Sequence, residues 1–105
     1  MPIEFKEGVV TVTGEDIMKV ASALRTQLRL RILHLVNSEG KIDMDQLAKK
    51  LGKSKANISN HVQKLEEARL VKVEYAPGKR GIRKYCLSNV REVRIILPKG
   101  VNEWF

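Results

Sequence analysis

The stretch "DMDQLAKKLGKSKANISNHVQKLEEARL", Asp43 to Leu70, constrains the fold more than any other part of the chain. Asp43 is a good N-cap, Gln46 sits three residues further on, and Gly52 ends the helix after about two turns. Ser54 caps a second helix at once, with Ile58, Val62 and Leu65 as its buried side. Two helices joined only by Gly52, Lys53 and Ser54 make a helix-turn-helix.

The flanks complete the architecture. Thr13 at N-cap, with Asp16 three residues on, opens a helix from about residue 15 to 24, with Ile17, Val20, Ala21 and Leu24 on one face. Thr26 caps another, in which Leu28, Ile32, Leu35 and Val36 recur at helical spacing, Leu30 and Leu33 widen the stripe, and Gly40 is the stop. "FKEGVVTV" is a short strand, or a hairpin turning at Gly8. "LVKVEY" and "IRKYCL" alternate as two strands around "APGKRG", with Pro77-Gly78 as the turn signal. The expected fold is mainly α with a small β part. It is a winged helix-turn-helix, a three-helix core plus a β-hairpin wing, with extra N- and C-terminal strands. The 105 residues suit one domain. Its core is expected over residues 15–87, with arms 1–14 and 88–105 serving dimerisation.

Charge supplies the partner. Residues 1–52 carry eight Lys/Arg against seven Asp/Glu, whereas residues 53–94 carry eleven against four. Nearly all of the net +8 therefore lies in one continuous segment. A polyanion is its natural partner, nucleic acid before an acidic membrane. The bland reading is a solubilising surface.

With Ile58, Val62 and Leu65 turned inward, the helix after Ser54 presents Ala56, Ser59, Asn60 and Gln63 outward, flanked by Asn57 and Lys64. The face is small and amide-rich, with no acid in its first two turns. Such a face suits a DNA major groove. Asn and Gln bond adenine bidentately, Ser bonds either partner, and an Ala methyl meets a thymine methyl. The competing reading is an ordinary solvated face. Lys53 and Lys55 flank the helix start, where cations oppose the dipole unless a phosphate joins them. Lys79, Arg80, Arg83 and Lys84 sit on or beside the Gly-flanked hairpin tip, placed to follow a backbone or enter a minor groove. Strand alternation puts Ile82, Lys84 and Cys86 on one face and Arg83, Tyr85 and Leu87 on the other, so one basic residue is free to pack as a stem. A hairpin charged merely to prevent edge pairing is the plainer alternative.

"RLRIL" (Arg29 to Leu33), "LAKKLGKSKANISNHVQKLEEARLV" (Leu47 to Val71) and "GIRKYCL" (Gly81 to Leu87) resemble the ArsR-type winged helix-turn-helix regulators, over about residues 23–87. The resemblance implies a homodimer that binds operators near promoters and represses transcription. It implies a recognition helix at residues 54–69 and a wing at 71–87. Base readout then falls to Ala56, Asn57, Ser59, Asn60 and Gln63. Phosphate contact falls to Lys53, Ser54, Lys55, Lys64, Lys79, Arg80, Arg83 and Lys84.

Departures from the family pattern matter as much. Metal-sensing members carry cysteine pairs on the first helix of the motif, here "DMDQLAKKL", which has neither Cys nor His. Others place His and acidic ligands on a final helix, but the tail "VREVRIILPKGVNEWF" has no His and reads as a strand. No metal, cofactor or small-molecule ligand is expected. In place of the usual helical dimer contact, the expected interface is Val10, Val12, Ile17, Val93, Ile95, Leu97, Trp104 and Phe105; the plainer alternative is that Trp104 and Phe105 fold back onto their own domain.

Other signals carry less. Asn57-Ile58-Ser59 is a sequon without a secretion signal, and "GKS" at Gly52 to Ser54 lacks the upstream glycine of a P-loop, since position 47 is Leu. His34 and His61 are lone histidines, and Cys86 alternates into the wing's packed face or its edge. With no membrane span and no disulfide framework, the expected setting is cytoplasmic and nucleoid-associated. The expectation is a sequence-specific double-stranded-DNA-binding regulator, not an enzyme. Its rivals are a nucleoid-type architectural protein and a winged-helix module for protein or RNA.

Overall fold

The computed structural model describes residues 3–6, 8–97 and 99. The elements in chain order are β1 (Ile3–Lys6), β2 (Val9–Val12), α1 (Asp16–Leu24), α2 (Gln27–Glu39), β3 (Lys41–Asp43), α3 (Met44–Leu51), α4 (Lys55–Glu67), β4 (Lys72–Gly78), β5 (Gly81–Leu87) and β6 (Glu92–Ile95). This is a winged helix-turn-helix, mainly α, with the wing built on β4 and β5.

Local chemistry sets most helix ends. Thr26 Oγ1 accepts from the Arg29 amide at 3.2 Å and also from Arg29 Nε at 3.0 Å, so one hydroxyl caps α2 and anchors a buried arginine. Asp43 Oδ1 accepts from the Asp45 and Gln46 amides at 2.7 and 3.3 Å to start α3. Ser54 Oγ accepts from the Asn57 amide at 3.1 Å to start α4. The start of α1 differs from expectation. Thr13 makes no cap; a turn at Gly14 leads in, and Glu15 takes the N-cap position without a side-chain bond.

Helix α4 ends without the usual glycine. Arg69 adopts φ 60°, while Arg69 N–H bonds the Glu66 carbonyl at 2.9 Å and Leu70 N–H bonds the Leu65 carbonyl at 2.9 Å. These two bonds form a Schellman closure, with buried Leu70 back against buried Leu65. A left-handed arginine costs energy that glycine avoids, so Arg69→Gly is expected to stabilise the fold by about 0.5 kcal/mol. A rise in the urea midpoint checks this.

One core holds the helices and both sheets. Ile58, Val62 and Leu65 from α4 meet Ile32, Leu33 and Val36 from α2, Leu47 from α3, and Val20 and Ala23 from α1. Leu30, read as part of the α2 stripe, is instead an exposed apolar residue. Cys86 from β5 and Val90 beyond it close one side. Val10 and Val12 are fully buried and Ile17 nearly so, which makes all three part of this chain's own core. The core therefore extends past residues 15–87 into both arms.

Two three-stranded sheets flank the helices, in the orders β3-β5-β4 and β1-β2-β6. The second joins the arms, β2 running parallel to β6 with Val10 opposite Val93 and Val12 opposite Ile95. Gly8 makes this crossing possible. It has φ 81°, its carbonyl accepts from the Arg91 amide at 2.9 Å, and a Cβ there would lie 2.7 Å from the Asn89 carbonyl oxygen.

The wing turn is displaced from Pro77-Gly78. Both residues lie within β4, paired with Ile82 and Gly81, and the turn is Lys79-Arg80. Strand β4 is an edge, where a missing proline N–H costs no ladder bond. Strand β3, which sequence did not suggest, pairs with β5 and fixes the wing root to the helix-turn-helix. Trp104 and Phe105 lie outside the described residues.

Candidate nucleic-acid interface

Helix α4 is held by Ile58, Val62 and Leu65, all buried, which turns Ala56, Asn57, Asn60, Gln63 and Lys64 out to solvent. Ser59 and His61 sit half-buried at the margins of that face. The first turn of α4 carries no acid. Ser54 uses an oxygen lone pair for its cap and keeps its hydroxyl proton free to donate. The residues named for base readout thus share one outward surface, with Ser59 at its edge.

The cations divide by their partners. Lys53, Lys79 and Arg80 are exposed and form no ion pair among the described residues. Lys55 Nζ lies 3.0 Å from Asp45, and Lys64 Nζ lies 3.7 Å from Glu67, both exposed pairs of small energetic value. Lys84 Nζ stands 6.0 Å from the Tyr75 ring centroid.

Arg83 is the basic residue that packs as a stem. Its Nη1 donates to Asp43 Oδ2, the other oxygen of the carboxylate that caps α3. Gly78 makes room for it, because a Cβ there would stand 2.7 Å from Arg83 Cγ. Two ion pairs therefore run from the start of α4 to the wing: Lys55 to Asp45 on α3, then Asp43 at the same helix end to Arg83. The tie joins residues forty positions apart, and strand alternation in the wing was its sequence-level trace.

Burial acts to raise the Asp43 carboxyl, but the bond from Arg83 and those from the Asp45 and Gln46 amides outweigh it, leaving the group below its ordinary 3.8. A folded-state pKa below the unfolded value means stability that is present above pH 3.8 and lost as pH falls through the folded value. Asp43→Asn keeps a capping side chain and removes the charge. It is expected to cost about 1 kcal/mol at pH 7, reduced by the half-exposed position of Arg83. The gap between parent and variant should close below pH 3.8, read as melting temperature against pH.

Cys86 is fully buried, and burial first, then Glu66, pushes its thiol up to about 12. It is a protonated core thiol rather than a nucleophile. No group of three or more His, Cys, Asp or Glu suited to a metal occurs among the described residues. No helix there is long and apolar enough to cross a membrane.

A helix-turn-helix backed by a basic β-ribbon defines the winged helix-turn-helix class. Residues 26–73 match the family described as bacterial regulatory protein, arsR family. An uncharacterised HTH-type transcriptional regulator of Methanocaldococcus jannaschii is 38% identical over 56 residues, 53% of this chain and 58% of that one. The chain thus matches little more than half the length of that relative. The homodimeric winged helix-turn-helix DNA-binding domain Mb0332 of Mycobacterium bovis superposes with TM-score 0.62 at 25% identity, covering 71% of this chain and 65% of that one. NolR of Sinorhizobium fredii gives TM-score 0.61 at 26% identity, covering 73% and 72%.

Proposed function

We propose that this protein is a sequence-specific, double-stranded-DNA-binding regulator of transcription that acts as a homodimer, with α4 in the major groove and the wing on the backbone or in the minor groove. The observation that carries the reading is the outward face of α4: exposed Ala56, Asn57, Asn60 and Gln63, with no acid in the first turn, on a helix anchored by three buried residues. Amide side chains at that position read adenine edges, and the small Ala56 lets the helix approach closely. Lys53, Ser54, Lys55, Lys64, Lys79, Arg80 and Lys84 supply phosphate contacts, and the Arg83–Asp43 pair holds the wing at its angle.

The dimer reading rests on the tail. Val93 packs against the core, while Ile95 on the same face of β6 and Leu97 beyond the end of that strand are exposed. A second copy covers them, and the homodimeric Mb0332 domain shows the fold in that state. Two recognition helices about 34 Å apart then meet successive major grooves of an inverted repeat. Repression of the bound promoter, in the cytoplasm, follows from the same reading.

Gln63→Ala tests it. The variant should lose discrimination at one base position per half-site, by roughly tenfold or more, when both proteins select from a randomised duplex library. Its stability should hold, because Gln63 is exposed. A uniform loss across all sequences would mean that α4 does not read bases.

A further inference from the structure

The wing has two unlike faces. On one, Arg83 lies across Gly78 toward Asp43. On the other, Tyr75 pairs with Lys84 and Pro77 pairs with Ile82, next to the Lys79-Arg80 turn. That second face is apolar and open: Ile82 is 79% exposed and Tyr75 66%, and Tyr75, Pro77, Gly78, Gly81 and Ile82 line a shallow cleft. A bare β-ribbon tip is where a soluble protein ordinarily avoids a large aliphatic side chain. The fold gains nothing from Ile82, which lies beyond the core.

We infer that the Pro77–Ile82 pair is a wedge that enters the minor groove of bound DNA and partly unstacks a base step, so that the wing selects flexible steps by shape. The inference rests on the DNA-binding reading above and adds a specificity determinant to it. Charge decides the occupant. The apolar pair is framed by Lys79, Arg80 and Lys84, and from Tyr75 to Tyr85 the ribbon carries no acid, so the tip suits a polyanion with an apolar interior. Directly opposite residues on a two-stranded ribbon stand about 5 Å apart, so Pro77 and Ile82 present one continuous apolar edge beside the turn. Proline and isoleucine are rigid apolar shapes of the kind that pry steps apart, and pyrimidine–purine steps yield most easily. The flanking cations hold the phosphates while the wedge acts. Ile82 reads deformability, and α4 reads base edges.

The test uses the full chain and a duplex of about 40 base pairs, carrying the site that the parent protein selects from a random pool, with dyes at its ends to report bending. Ile82→Ser should bind about tenfold more weakly, bend the duplex less and lose preference for a pyrimidine–purine step, with its salt dependence unchanged because no charge is removed. Ile82→Leu should retain bending. Melting temperatures should match the parent's, since the side chain is exposed. Equal affinity and bending for parent and Ile82→Ser overturn the wedge while leaving the DNA reading intact. A loss confined to binding of phosphatidylserine vesicles overturns it in favour of a membrane contact. If the parent selects no duplex at all, the DNA reading itself fails, before any variant is compared.

Discussion

Leu65→Ala is expected to lower the unfolding free energy by about 3 kcal/mol. Leu65 is fully buried on α4, and it sits at the helix end where its carbonyl accepts the Leu70 amide at 2.9 Å. Truncation leaves a void between α4 and its neighbours and loosens the contact with Leu70 that closes the helix. In a domain of this size, such a loss is a large share of a total of about 5–15 kcal/mol and lowers the melting temperature by more than about 10 °C. Urea titration should show a lower midpoint with an unchanged slope. DNA affinity measured well below the melting point should change little. An effect under about 1 kcal/mol would mean that α4 is not seated as described.

The largest effect on binding belongs to the wing turn. Lys79→Ala combined with Arg80→Ala is expected to weaken binding to every duplex alike, by about a hundredfold near physiological salt, and to reduce the salt slope by about two for each protomer. Neither residue has an acidic partner among the described residues, so the folded state loses no ion pair and the melting temperature should hold. Arg83→Ala should behave differently. It releases the Asp43 carboxylate, so its loss should appear in stability as well as in affinity. Affinity titrations at several salt concentrations, beside melting curves, separate the two.

These expectations depend on features that sequence shows unevenly. The caps at Thr26, Asp43 and Ser54 were legible because capping is local: one side chain bonds amides two or three residues away. The buried stripe of α4 was legible by period, and the strand character of the tail by its β-branched content and Pro98. What escaped depends on pairing across the chain. Pro77-Gly78 is a turn signal by itself, but pairing with β5 carries β4 through both residues, and the chain turns at Lys79-Arg80 instead. Strand β3 has three residues, too few for a periodic signal between the Gly40 stop and the Asp43 cap. Alternation left one wing cation free to pack as a stem; only the position of Asp43, forty residues away, identifies it as Arg83. The apolar pattern of Val10, Val12 and Ile17 does not say whether their cover is the same chain or a second copy. The parallel pairing of β2 with β6 seats them inside.

The most direct measurement is selection of genomic fragments by the purified full chain at two salt concentrations. The account predicts a recurrent inverted repeat that persists at the higher salt, with half-sites about one helical turn apart. Enrichment without a shared motif, lost as salt rises, would contradict it, and would make the protein a general coat for DNA in which the wing cations do the binding.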